Sequence, residues 1–169
     1  IVHWHPTIQR DLAPVTVIPR GFGGSNMNDA LAHAERLVVR YRPKAVLLYE
    51  GDNDLQDGIE PAQVHSTFVS LVTLLQQKLP GVRLYVLSVK PSPARAHLWP
   101  KASKLNELLA STCRSTPNLR YIDVATEMLD ANGQPRAELF GPDRLHMNAD
   151  GYVLWARLVQ PVLNQGEAP

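Results

Sequence analysis

Ala45-Val46-Leu47-Leu48-Tyr49 is an unbroken apolar run, and it limits the fold more than any other stretch. A strand that is apolar at every position is buried on both faces, which implies a parallel sheet covered by helices on each side. The neighbouring segments agree. Gln63–Leu79 starts after Pro61, keeps Val64, Phe68, Leu71, Val72 and Leu75 on one helical stripe, and stops at Pro80-Gly81. Val82–Val89 reads as a second apolar strand, Lys101–Thr116 as a helix and Leu119–Val124 as a last strand. Earlier in the chain, residues 1–12 read as the tail of a turn and a short helix. Val15–Ile18 reads as a short buried strand. Asn26 or Asn28 caps a helix bearing Leu31, Ala34, Leu37 and Val38, which Pro43 ends. Gly151–Leu163, with Leu154, Leu158 and Val162 apolar, is the closing helix, and Asn164–Pro169 is expected to be loose. Strands alternating with helices are βαβ units, so the expected class is α/β with a parallel sheet between two helical layers.

With 169 residues, the chain fits a single domain spanning 1–169. A net charge of +1 and the lack of a basic stripe argue against nucleic acid or an acidic membrane as the primary partner. No run reaches the ~18 apolar residues of a transmembrane helix. The single cysteine, Cys113, allows no internal disulfide and reads as a small buried residue of a helix.

In open parallel sheets, active residues gather outside the carboxyl ends of the strands. Four segments fall at that edge: the Gly21–Ser25 turn, the Gly51–Asp54 turn, the 90–100 loop and the 143–146 loop. Asp143 precedes His146 by three residues, between the loop signal Phe140-Gly141-Pro142 and the last helix. That spacing suits a general base held by its own carboxylate. Of the histidines, His3, His5, His33, His65 and His97 included, only His146 has a nearby carboxylate at that edge, and no histidine spacing suits zinc. Gly21-Phe22-Gly23-Gly24 lacks the third glycine of a dinucleotide fingerprint and the Gly-Lys-Ser/Thr of a P-loop. It reads either as a tight turn or as a backbone N–H aimed at an anion. Asp52-Asn53-Asp54, with Glu50 and Asp57, reads as a solvated turn, as a cation site without the calcium-loop glycine, or as a setting for Asn53 as an uncharged donor to an oxyanion.

Together these blocks resemble the SGNH (GDSL-type) hydrolase superfamily of esterases and lipases. Gly24 in Gly-Phe-Gly-Gly-Ser is similar to its second block, Asn53 in Gly51-Asp52-Asn53-Asp54 to its Gly-x-Asn-Asp block, and Asp143 with His146 to its Asp-x-x-His block. The resemblance implies a three-layer α/β/α, flavodoxin-like sandwich with a five-stranded parallel sheet in the order 2-1-3-4-5. It implies a serine esterase acting on carboxylic esters through an acyl-enzyme, with no cofactor and a small-molecule ester as partner. It assigns His146 as base, Asp143 as its orienting carboxylate, and Gly24 N–H with the Asn53 amide as oxyanion hole. The family's nucleophile sits in a Gly-Asp-Ser block at the end of the first strand. Ile1-Val2-His3-Trp4 resembles the residues just after that serine, so the strand and the serine are expected upstream of Ile1. Lys90, Arg95, His97 and Trp99 on the 90–100 loop are expected at the lip of a shallow pocket suited to short acyl or acetyl groups. The competing reading is a non-catalytic carbohydrate- or ligand-binding relative without the nucleophile. A metal-dependent phosphoesterase using Glu50–Asp57 is a weaker third. The natural ester, the oligomeric state and the compartment do not follow from the sequence.

Overall fold

The computed structural model describes residues 1–167. A 3-10 turn over Val2–Trp4 leads to α1 (Ile8–Asp11), followed by α2 (Met27–Ala32) and α3 (Ala34–Leu37). Then come β1 (Ala45–Leu48), α4 (Asp52–Gln56), α5 (Pro61–Lys78), β2 (Arg83–Leu87) and α6 (Trp99–Ser115). β3 (Leu119–Ile122) and α7 (Ala149–Glu167) complete the chain. The strands pair in parallel in the order β1-β2-β3.

The period-2 alternation of the strands sorts the core into two layers. Val46 and Leu48, Leu84 and Val86, and Leu119 and Tyr121 face one helical layer with Val64, Phe68, Leu71, Leu105 and Leu109 of α5 and α6. Ala45 and Leu47, Tyr85 and Leu87, and Ile122 face the other, with Trp4, Ile8 and the α7 residues Trp155 and Val159. This is the expected α/β/α arrangement. Trp4 and Trp155 are both fully buried, their rings meet edge-on, and each indole N–H has a partner: Asp11 Oδ2 for Trp4 and Met128 Sδ for Trp155. Indoles bury well only when that one donor is satisfied.

α5 starts with Pro61 in its first turn, where the missing N–H costs nothing, and buries the predicted stripe. Asn26 caps α2 through a reciprocal capping box with Asp29. Cys113 is buried on α6, as expected.

Several expectations need correction. Val15–Ile18 is extended but joins no ladder among the described residues, and Ile18 is half exposed. In the order 2-1-3-4-5 its partner would not be β1, so apolar character alone does not put it in this sheet. β1 is only half-buried at every position, as an edge of the paired sheet rather than its middle. The helix expected to run to Pro43 breaks at His33 and ends at Leu37. The Gly51–Asp54 turn is the start of α4. The 90–100 loop carries a 3-10 segment over Pro93–Leu98 and runs into α6 two residues early. On α7 the fully buried positions are Trp155 and Val159, while Leu158 and Val162 are only partly buried. Asn164–Glu167 continues α7 rather than fraying; the rest of the expected loose tail lies outside the described residues.

Candidate active site

The segment carrying Asp143 and His146 leaves the body at two buried anchors, Phe140 and Met147, which bridge to each other. Within it, Gly141 N–H donates to His146 O at 2.8 Å and Arg144 N–H to Gly141 O at 2.9 Å. Asp143 does two jobs. Its Oδ1 accepts the N–H groups of Leu145 and His146, each at 3.0 Å. Its Oδ2 lies 2.6 Å from His146 Nδ1. These bonds, led by the one to His146, hold the Asp143 carboxyl well below the usual carboxylate range. An ionised carboxylate can only accept, so Nδ1 carries the proton and Nε2 of the neutral ring keeps its lone pair. The side chains are about half exposed (51% and 52%), and among the described residues nothing is bonded to Nε2.

His3 lies against the other face of this imidazole. The two rings stack with centroids 4.4 Å apart and planes 1° from parallel. Nothing in the sequence singled out His3, because residues 3 and 146 are joined only by tertiary structure.

Two other loops are tied together beside this one. Ser25 Oγ donates to Glu50 Oε1 at 2.7 Å, and Asn53 Nδ2 donates to Ser25 O at 2.8 Å. Met27 N–H meets both oxygens of the buried Asp54 carboxylate at 3.0 Å. Gly24 lies in this braced turn with φ of +78°, a conformation that suits glycine. Gly51, at φ +119°, leads into α4; a Cβ there would come within 2.7 Å of Val89 and 2.8 Å of Leu105. Only glycine lets the chain turn this tightly into the helix that carries Asn53. Arg95 Nη1 donates to Asn53 Oδ1 at 3.2 Å, which fixes the amide with its nitrogen toward Ser25. One amide N–H is then used by Ser25 O, and among the described residues nothing accepts the other.

Arg95 and Lys90 both converge on Asp52: Nη1 to Oδ1 at 2.7 Å and Nζ to Oδ2 at 2.8 Å. Tyr49 O–H adds a bond to Oδ2 at 3.3 Å. Burial alone would raise the Asp52 carboxyl, yet the two cations hold it below its ordinary value. The four residues expected at a pocket lip therefore behave differently. Lys90 and Arg95 turn inward onto Asp52, Trp99 packs against the α5–α6 core, and His97 is exposed. Ala94 N–H donates to Arg144 O at 3.0 Å and so joins the 90–100 loop to the loop bearing His146. Among the described residues no group of three or more His, Cys, Asp or Glu is disposed to hold a metal ion.

Glu50 is the odd carboxyl of the group. Burial pushes it up to about 7, against the pull of the Ser25 hydroxyl, and Asp54 adds to the rise. The folded chain thus holds this proton more tightly than the unfolded chain. Its effect on stability is absent below the ordinary carboxylate value, becomes a cost that grows from there up to about pH 7, and levels off above it. Glu50→Gln keeps an acceptor for Ser25 without the charge. It should gain on the order of 2 kcal/mol over the parent at pH 8 and almost nothing near pH 4, read from urea unfolding at the two pH values. An equal difference at both would mean that the carboxyl is already ionised in the fold.

The chain matches the GDSL-like Lipase/Acylhydrolase family over residues 2–154. Solved structures with the same fold include a candidate acylhydrolase from Bacteroides fragilis, with a TM-score of 0.85 at 18% identity over 97% of this chain and 82% of that one. A GDSL-like lipase from Bacteroides thetaiotaomicron superposes with a TM-score of 0.77 at 18% identity, over 97% and 82%. A mutant of an acetyl-xylooligosaccharide esterase from Geobacillus Stearmophilus does so with 0.76 at 16% identity, over 97% and 79%. No curated protein matches the chain in sequence.

Proposed function

This chain belongs to the GDSL-like lipase/acylhydrolase family, and from that premise we propose that it hydrolyses carboxylic esters with small acyl groups through a serine acyl-enzyme. The observation that carries the reading is the half-exposed Asp143–His146 pair, with Nδ1 committed to a carboxylate and, among the described residues, nothing bonded to Nε2.

The nucleophile in this reading is a serine joined to the nitrogen of Ile1. The start of the chain lies at the same edge: His3 stacks on His146, and a Cβ at Gly21 would meet Ile1, His5 and Val2. Ser25 is a poor candidate, being 8% exposed with its hydroxyl donated to Glu50. His146 Nε2 removes the serine proton as the oxygen attacks the ester carbonyl. Asp143 stabilises the imidazolium that forms and fixes the tautomer. The tetrahedral oxyanion takes hydrogen bonds from Gly24 N–H and from the uncommitted N–H of Asn53. The carbon–oxygen bond to the alcohol breaks, and His146 returns its proton to the departing oxygen. Water, deprotonated by the same imidazole, then releases the acid and restores the serine. A half-exposed imidazole on short loops favours acetyl-sized groups over long chains.

A fluorophosphonate probe on the full natural polypeptide tests this directly. Peptide mapping should find the label on the serine preceding Ile1. A label on Ser25, or none, would overturn the assignment. A second measurement concerns Asn53. Asn53→Ala should lower kcat for p-nitrophenyl acetate by ~10²–10³-fold with little change in KM, since its amide meets charge that exists only in the transition state. A rise in KM with kcat preserved would make Asn53 a ground-state contact instead.

A further inference from the structure

Next to the Gly21–Ser25 turn lies a cleft of ≈ 380 Å³, lined by His5, Arg20, Phe22, His33, Arg36 and Leu37 among others. None of its lining residues is acidic. Glu35, beside Arg36 in sequence, is taken up by Lys78 at 2.8 Å. Arg20 stacks its guanidinium 4.2 Å from the Tyr41 ring centroid, a contact that orients the fork without neutralising it. Phe22 is 40% exposed and meets His33 edge-on at 6.2 Å between centroids, which gives the cleft a flat unsaturated wall. Burial lowers the affinity of His5 for a proton.

The cleft borders the chain segment that reaches the candidate site. Gly21 belongs to it and packs on Ile1, Val2 and His5, while His3 in the same short segment stacks on His146. Gly24 follows three residues later. A substrate whose carbonyl lay at the oxyanion donors would direct one arm into this cleft. Two guanidinium groups, a flat apolar wall and no carboxylate select an anion carried on a planar body.

We propose that this cleft is a specificity subsite for the alcohol side of the ester, selecting aryl leaving groups that bear a carboxylate. The proposal rests on the ester-hydrolase reading above. The test compares 4-acetoxybenzoate with its neutral analogue 4-acetoxybenzamide on the full natural polypeptide. At low ionic strength kcat/KM should favour the anionic ester by roughly tenfold or more, and added salt should shrink the ratio. Arg20→Gln and Arg36→Gln should each reduce that ratio severalfold. Equal kcat/KM for the two esters, or a ratio that survives both substitutions, would overturn the subsite. If neither ester is cleaved, the esterase reading fails on its own account. Calorimetric titration with 4-hydroxybenzoate then judges the cleft separately: saturable binding lost in Arg36→Gln supports it, and no binding overturns it.

Discussion

Replacing His146 by alanine in the full polypeptide should cut kcat for p-nitrophenyl acetate by at least ~10³-fold, while circular dichroism and Tm stay within error of the parent. The two halves of that expectation have separate causes. The imidazole is half exposed, and among the described residues its side chain meets Asp143 on one edge and His3 on one face. Its loss opens no core cavity, and substitutions of that kind stay within about 0.5 kcal/mol. The loop itself is held by backbone bonds and by Asp143 Oδ1, none of which needs the ring. Turnover, in the proposed mechanism, loses its general base. A neutral imidazole whose Nδ1–H is held by a carboxylate accepts a proton at Nε2, and no other described side chain is so arranged. His3→Ala should cost far less, a few-fold in kcat, because it removes a stacking partner and leaves the base and its carboxylate in position. Full turnover by His146→Ala would reject the mechanism. A collapse of Tm would show instead that the ring has a structural role.

Asp52→Ala should destabilise the fold by about 3–5 kcal/mol in urea unfolding, with Tm lower by roughly 10 °C. Lys90 and Arg95 have side chains only 8% and 15% exposed, and both point at this one carboxylate, itself 16% exposed. Without it two cations sit in a poorly hydrated site with no counter-charge, and it is that desolvation, more than the lost attraction, which destabilises. Arg95 also holds the Asn53 amide, so the same variant should lose turnover even where it remains folded. Combining Asp52→Leu with Lys90→Met and Arg95→Met removes the charges together and should recover most of the stability but not the activity. A loss below 1 kcal/mol for Asp52→Ala would mean that the cluster behaves as an ordinary surface pair. Because its folded carboxyl is depressed, the stabilisation should persist at neutral pH and be lost only as pH falls through that lowered value.

The candidate site was legible in the sequence where the chemistry is local. Asp143 and His146 are three residues apart, and a hydrogen bond across that spacing depends on one turn. Gly24 and Asn53 stood out because each follows a strand or turn in a recognisable block, and the structure ties their loops together through Ser25. Lys90 and Arg95 were expected to face substrate because charge on a loop at the sheet edge looks available. Their partner, Asp52, is separated from Lys90 by 38 residues, and pairing at that separation has no local signature. Glu50 looked like one more solvated acid; only its enclosure beside Ser25 and Asp54 makes it unusual.

What the sequence determined by itself is the periodic part: strand and helix alternation, the α5 stripe, a helix cap at Asn26 or Asn28 and the Asp143–His146 pair. Each depends on side chains a few residues apart, so backbone geometry alone converts the letters into a face or a turn. Tertiary structure decided the rest. It left Val15–Ile18 outside the ladder, chose which face of α7 meets the sheet, stacked His3 on His146 and turned Lys90 and Arg95 inward. Those outcomes turn on which distant surfaces exclude water together, and burial is a property of the assembled chain, not of any short segment.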